Sequence, residues 1–230
     1  MTWGLFLLAI APVVAVIWFI YHKDKYEHEP WGYLVLAYVF GLACAAVVPF
    51  ITGKIQWLPE LYSDTQMEVF LTAFVVIALV EEFMKFIILR GIFFNRSVFN
   101  EPIDGIVYGV MIGMGFATLE NLYFVMDGGW KVGILRMFTA IPAHAVFGVV
   151  MGYYVGKAKY VPHKNLENSL KAIFVTIFLH GIYNYLLLQD KFPYLGILAI
   201  LGLLVSFRYV RKMIKEQQED SPFKHDVESH

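Results

Sequence analysis

The chain has 230 residues, of which 59% are hydrophobic and only 16% charged, and its mean hydropathy is +0.61. A soluble domain carries about 25% charged residues, so this composition belongs to a membrane protein. A net charge of −1 argues against a nucleic-acid partner, and a single cysteine, Cys44, excludes an internal disulfide and a cysteine-based metal cluster.

The apolar runs are continuous and about twenty residues long. Strands of a membrane barrel alternate polar and apolar residues over about ten. The chain is therefore predicted to be all-α, a polytopic transmembrane helical bundle. Seven spans read off in order, over 2–21, 32–52, 68–91, 103–126, 133–156, 169–190 and 192–209. The first reads as an anchor: it has no basic n-region, its apolar run is too long for a signal peptide, and no small-residue cleavage site precedes His22. The last two are separated by a tight turn at Lys191, Phe192 and Pro193. Residues 1–209 form one transmembrane domain, and 210–230 a polar cytoplasmic tail predicted to be disordered. With the N-terminus outside, twelve Lys and Arg fall on the inner side and four (Lys54, Lys131, Arg136 and Lys191) on the outer. That asymmetry places the C-terminus in the cytoplasm.

The third span is the anomaly. Glu81 and Glu82 stand side by side near its middle, and Lys85 follows one turn later. An ionisable residue at the bilayer centre costs roughly 2.5–3.5 kcal/mol on insertion scales, so other spans are expected to supply partners. Of the seven histidines, only His144 and His180 lie inside spans. At 1.5 Å rise per residue, both lie at about the depth of the two glutamates, with Glu120 roughly 8 Å toward the outer side. Stripes of Gly105, Gly109 and Gly113, and of His144, Gly148, Gly152 and Gly156, turn the polar residues of two spans toward close helix contacts. Asp104 and Arg136 sit at span ends and read as snorkelling surface charges.

Three carboxylates and two imidazoles in a dry cavity suit a divalent metal such as zinc, whose catalytic sites keep one position open for water. Glu82, Glu120, His144 and His180 are the candidate ligands. Adjacent glutamates point about 100° apart on a helix. One of them can hold metal while the other serves as general base. We assign these roles to Glu82 and Glu81 respectively. Lys85 can pair with either glutamate or stabilise an oxyanion. Asn184, one turn beyond His180, is a candidate oxyanion donor or support for the ligands. No HExxH is present, which excludes a soluble-type zincin helix.

Glu81-Glu82-x-x-Lys85, Phe116-x-x-x-Glu120, His144-x-x-x-Gly148, and His180 followed by Asn184 resemble the PrsW family of intramembrane proteases. The early stretch Asp24-Lys25-Tyr26-Glu27-His28-Glu29-Pro30 is similar to that family's first inner loop. The wider group of CAAX prenyl and bacteriocin-immunity-type proteases carries EExxxR, FxxxH and HxxxN. Here Lys85 comes one position earlier than the Arg, and Glu120 stands where His is usual. The resemblance implies a multi-pass protease of the bacterial cell membrane. It implies the first (site-1) cut in a single-pass anti-sigma factor under envelope stress, followed by a site-2 protease. Two other readings are a CAAX-type endopeptidase and a proton- or cation-coupled transporter. Transporters are built from repeats, and none is visible here.

Overall fold

Inside a bilayer a backbone must satisfy its own hydrogen bonds, and helices do so within one segment. The structure, a computed structural model, describes residues 3–62 and 65–224, and among them there is no strand. The helices are α1 (Trp3–Tyr21), α2 (Trp31–Ile55), α3 (Thr65–Leu71), α4 (Val80–Ile88), α5 (Asp104–Phe138), α6 (Ala140–Tyr160), α7 (Asn165–Leu187) and α8 (Leu195–Glu219). Two π-helical segments, Thr72–Leu79 and Leu89–Phe93, flank α4. Residues 65–93 are thus one unbroken helical run of changing pitch.

Four helical stretches are long and apolar enough to cross a membrane: Trp3–Tyr21, Trp31–Leu61, Asp104–Tyr160 and Pro162–Leu187. The third of these holds both α5 and α6. The 65–93 run carries Glu81, Glu82 and Lys85 within it, and α8 becomes charged toward its C-terminal end.

α5 and α6 form the centre, and glycines explain how closely they approach. A Cβ on Gly109 would press on the Gly148 carbonyl, and one on Gly152 on the Gly105 carbonyl. The two stripes seen in the sequence therefore face each other, backbone against backbone. The same logic joins α2 to α5, where a Cβ on Gly115 would meet the Tyr38 carbonyl and one on Gly41 that of Ile112. Two side-chain bonds tie α5 further: Tyr38 Oη donates to Thr118 Oγ1 at 2.8 Å, and Asn121 Nδ2 to the Ala9 carbonyl at 3.0 Å.

The chain reverses between 126 and 133 as expected: it turns at Gly129, whose φ of 67° and ψ of −155° suit glycine alone, and Gly133 packs back against Val125. A second break, at Thr139, separates the short returning segment from α6. Two expectations need correction. The tail expected from 210 onward continues α8 to Glu219, and buries Ile214 and Gln217. Gln217 Nε2 donates to the Tyr153 carbonyl at 3.1 Å, and Lys157 pairs with Glu216 at 2.6 Å. Residues 225–230 of that tail lie outside the described residues. Asp104 is fully buried rather than a surface charge, and accepts from the backbone N–H groups of Asn100 and Glu101 at 2.7 and 2.8 Å.

Candidate active site

Glu81 and Glu82 open α4, just after the pitch changes from π to α. Such π-turns occur often at functional sites. Lys85 is four residues from one glutamate and three from the other, so on an α-helix it reaches both. Its Nζ donates to Glu82 Oε1 at 2.7 Å and to Glu81 Oε2 at 3.3 Å. None of Glu81, Glu82, Lys85, His144 and His180 is more than 6% exposed. The Lys85 ammonium also stands 3.9 Å from the centre of the Phe116 ring on α5.

α6 and α7 bring the imidazoles. His180 Nδ1 lies 2.8 Å from Glu82 Oε1, and its ring stacks on Phe147 with centroids 4.8 Å apart. His144 Nε2 lies 2.9 Å from Glu120 Oε2, and its Nδ1 lies 3.5 Å from Lys85 Nζ. An ionised carboxylate only accepts, which places the hydrogen of neutral His144 on Nε2 and leaves Nδ1 as an acceptor facing Lys85. By the same reasoning His180 donates from Nδ1 to Glu82. The two rings stand 5.6 Å apart, centre to centre.

The residues expected at one depth therefore do meet, though unequally. Ligand atoms of Glu81, Glu82 and His144 lie within 4.8 Å of one another. Glu120 stands one step out: its Oε2 also accepts from Arg136 at 2.7 Å. Asn184 lies one turn beyond His180 on the wall of a cavity. Arg136, read from the sequence as a surface charge, is part of the cluster and is only 15% exposed. Its Nε donates to Asn121 Oδ1 at 2.9 Å. Fifteen residues of straight helix would hold Arg136 and Asn121 about 22 Å apart, so the segment after Gly129 folds back along α5. The apolar pattern places this reversal between the spans 103–126 and 133–156, and the adjacent glycines Gly128 and Gly129 mark it in the sequence.

Two cavities flank the cluster. One, of about 510 Å³, is lined by Glu120, Arg136, His144, His180 and Asn184, and by α8. The other, of about 810 Å³, lies between α2, the 65–93 run and α5, and is lined by Glu81, Phe116 and Glu120. Glu120 borders both. A void of about 10 Å³, sharing His144 with the smaller of these cavities, is lined by Glu82, Lys85, Gly109, Gly113, His144 and Gly148, room for about one water-sized particle.

Carboxylate oxygens and imidazole nitrogens beside such a void fit a zinc-type ion. The cluster's positive charges are the Lys85 ammonium, in contact with Glu81, Glu82 and His144, and the Arg136 guanidinium on Glu120.

Over residues 29–210 the chain matches the family described as PrsW family intramembrane metalloprotease. Protease PrsW of Geobacillus kaustophilus is 35% identical over 182 residues, 79% of each chain. That of Clostridioides difficile is 34% identical over 194 residues, 81% of this chain and 80% of the relative. That of Halalkalibacterium halodurans is 28% identical over 217 residues, 94% of this chain and 99% of the relative. No solved structure matches. The match runs through every helix that contributes to the charged cluster, and the chain, a multi-pass protein of a bacterial membrane, belongs to the PrsW family of intramembrane metalloproteases.

Proposed function

We propose that this protein is a zinc- and glutamate-dependent intramembrane endopeptidase that makes the first cut in a membrane-anchored anti-sigma factor. The observation that carries the reading is the convergence of Glu81, Glu82 and His144 within 4.8 Å, with Lys85 in contact with all three. The anti-sigma substrate rests on the family alone.

Glu82, His144 and His180 would hold the metal, and Glu120 would act through His144. The carboxylate of Glu120 fixes the His144 tautomer, an arrangement common behind metal-bound histidines. A bound zinc supplies Lewis acidity that makes water nucleophilic near neutral pH. Glu81 is the general base. It lines the larger cavity and has the weaker hold on Lys85, 3.3 Å against 2.7 Å for Glu82. It takes a proton from the attacking water and returns it to the leaving amine. Lys85 keeps Glu82 ionised and offers a donor to the developing oxyanion. Asn184, on the wall of the smaller cavity, offers a second donor to substrate.

The bundle crosses the membrane seven times, with the N-terminus outside and the C-terminus in the cytoplasm. A site-2 protease acts on the product of the first cut.

Purified protein should cleave a single-pass anti-sigma substrate in detergent. Glu81→Gln should lower kcat about a hundred- to ten-thousandfold, the range of general base catalysis. Glu82→Gln should lose both zinc and cleavage while the protein stays folded. Full activity in both variants would overturn the glutamate mechanism. Undiminished activity after stripping with a strong chelator would overturn the metal.

A further inference from the structure

A second group of carboxylates lies away from the catalytic cluster, where the α1–α2 loop meets the residues leading into α5. Asp24, Glu29, Glu101 and Asp104 are each no more than 2% exposed. All four are built alike: one oxygen is held by a donor and the other is left among neighbouring carboxyls, Glu29 beside Asp104 and Glu101 beside Asp24. Asp24 Oδ2 accepts from the Glu29 N–H at 2.9 Å. Asp104 Oδ2 accepts from two backbone N–H groups. Tyr108 donates to Glu29 Oε2, and Ser221 to Glu101 Oε2. The second oxygens, Asp24 Oδ1, Glu29 Oε1, Glu101 Oε1 and Asp104 Oδ1, are buried with no hydrogen-bond partner. So are Glu27 Oε2 and Asn100 Oδ1 on the same two loops.

Buried polar atoms in native proteins are nearly all paired. Carboxyl oxygens gathered on one another in this way need a cation or a proton between them. Lys159, the nearby cation, spends its ammonium on the carbonyls of Phe94 and Phe99, at 2.7 and 2.6 Å. Burial, the largest cause, pushes the Asp24 carboxyl up to about 8 and that of Glu29 up to about 7.

The geometry points to a binding site for one hard divalent cation, held by Asp24, Glu101 and Asp104 with Glu29 alongside. Ligand atoms of the first three lie within 4.8 Å of one another. Oxygens on opposite sides of a calcium ion, each about 2.4 Å away, stand roughly 4.8 Å apart. Carboxylate and amide oxygens without imidazole or thiolate select Mg²⁺, Mn²⁺ or Ca²⁺ over zinc. Among the described residues the imidazole paired with this group, His28, is half-exposed and 3.9 Å from the Asp24 oxygen that the Glu29 N–H already occupies. The ion would clip the α1–α2 loop to the start of α5. Through Ser221 it would also clip the segment after α8.

The test uses full-length protein in detergent, stripped with chelator and then given Mg²⁺, Mn²⁺ or Ca²⁺ alone. At least one of them should bind with a stoichiometry of one and raise the unfolding midpoint by several degrees. Asp24→Asn and Glu101→Gln keep the side-chain shape and remove a charge; each should weaken that binding at least tenfold. Glu82→Gln, which alters only the catalytic cluster, should keep the response, so failure of the zinc reading leaves this one standing. If wild-type protein binds none of the three and its midpoint does not move, the carboxyls share protons instead and the site is refuted. Loss of the response in Glu82→Gln with retention in Asp24→Asn would refute it equally.

Discussion

At the scale of single residues, function here depends on who holds whom. Glu82 receives both Lys85 and His180, while Glu81 shares only the former among the catalytic residues. His144 is held by Glu120, and Glu120 by Arg136. Arg136→Ala removes the last link without touching the reacting atoms. Positioning groups of this kind cost about ten- to a hundredfold when lost. The expected result is a fall in kcat of that size with KM little changed, read on the same anti-sigma substrate. Arg136→Lys should restore less than half, because a point charge cannot serve Glu120 and Asn121 together as the guanidinium fork does. Most of this cluster was legible in the sequence, since a charge or an imidazole inside an apolar run is conspicuous. Arg136 was not, because it sits at the end of such a run, where charges ordinarily reach toward water.

Among elements, the informative ones depart from ideal helix. The π-helical turns before and after α4 carry Glu81, Glu82 and Lys85 together into the interior, three charged residues on nine residues of α-helix. Apolar periodicity does not reveal a change of pitch, so a helix over this stretch was foreseen but not its geometry. Gly129 is the hinge that returns Arg136 to Glu120. Its backbone conformation costs an L-residue about 1–3 kcal/mol. Gly129→Ala should therefore lower cleavage much as Arg136→Ala does and also lower the unfolding midpoint by several degrees. Glycines at the α5–α6 contact behave differently. In Gly152→Val the new side chain meets the Gly105 backbone, which has nowhere to go. Overpacking of this sort costs roughly 1–3 kcal/mol or more. The expected outcome is a lower unfolding midpoint and less folded protein by size-exclusion chromatography, whatever the substrate.

For the whole molecule, the all-helical class followed from run length and low charge, and four of its helical stretches are long and apolar enough to span a membrane. The far end of α8 was not foreseen. Lys212, Lys215, Glu216 and Glu219 made it look solvated, yet Ile214 and Gln217 on the opposite face are buried against the bundle. Only the tertiary contacts of that face distinguish a docked amphipathic end from a loose tail. The arrangement in the membrane can be read chemically, because Cys44 is the only cysteine and is buried. In a Cys44→Ala background, Lys25→Cys should react with an impermeant maleimide only after the cells are opened. Glu60→Cys should react in intact cells. The reverse pattern would invert the proposed orientation.

The facing glycines of α5 and α6 have a mechanical consequence. Two backbones in direct contact cannot slide or part without losing most of what joins them, so the pair is a stiff spine. Glu120 rides on one half of that spine and His144 on the other, and their mutual placement is as rigid as the spine itself. Glu81 and Glu82 ride on the 65–93 run, and His180 on α7. Any opening wide enough to admit a polypeptide must therefore be a movement of those outer parts, with α2 and α8, against a stationary centre. A crosslink between α5 and α6 should leave proteolysis intact, whereas one pinning α8 to α7 should stop it.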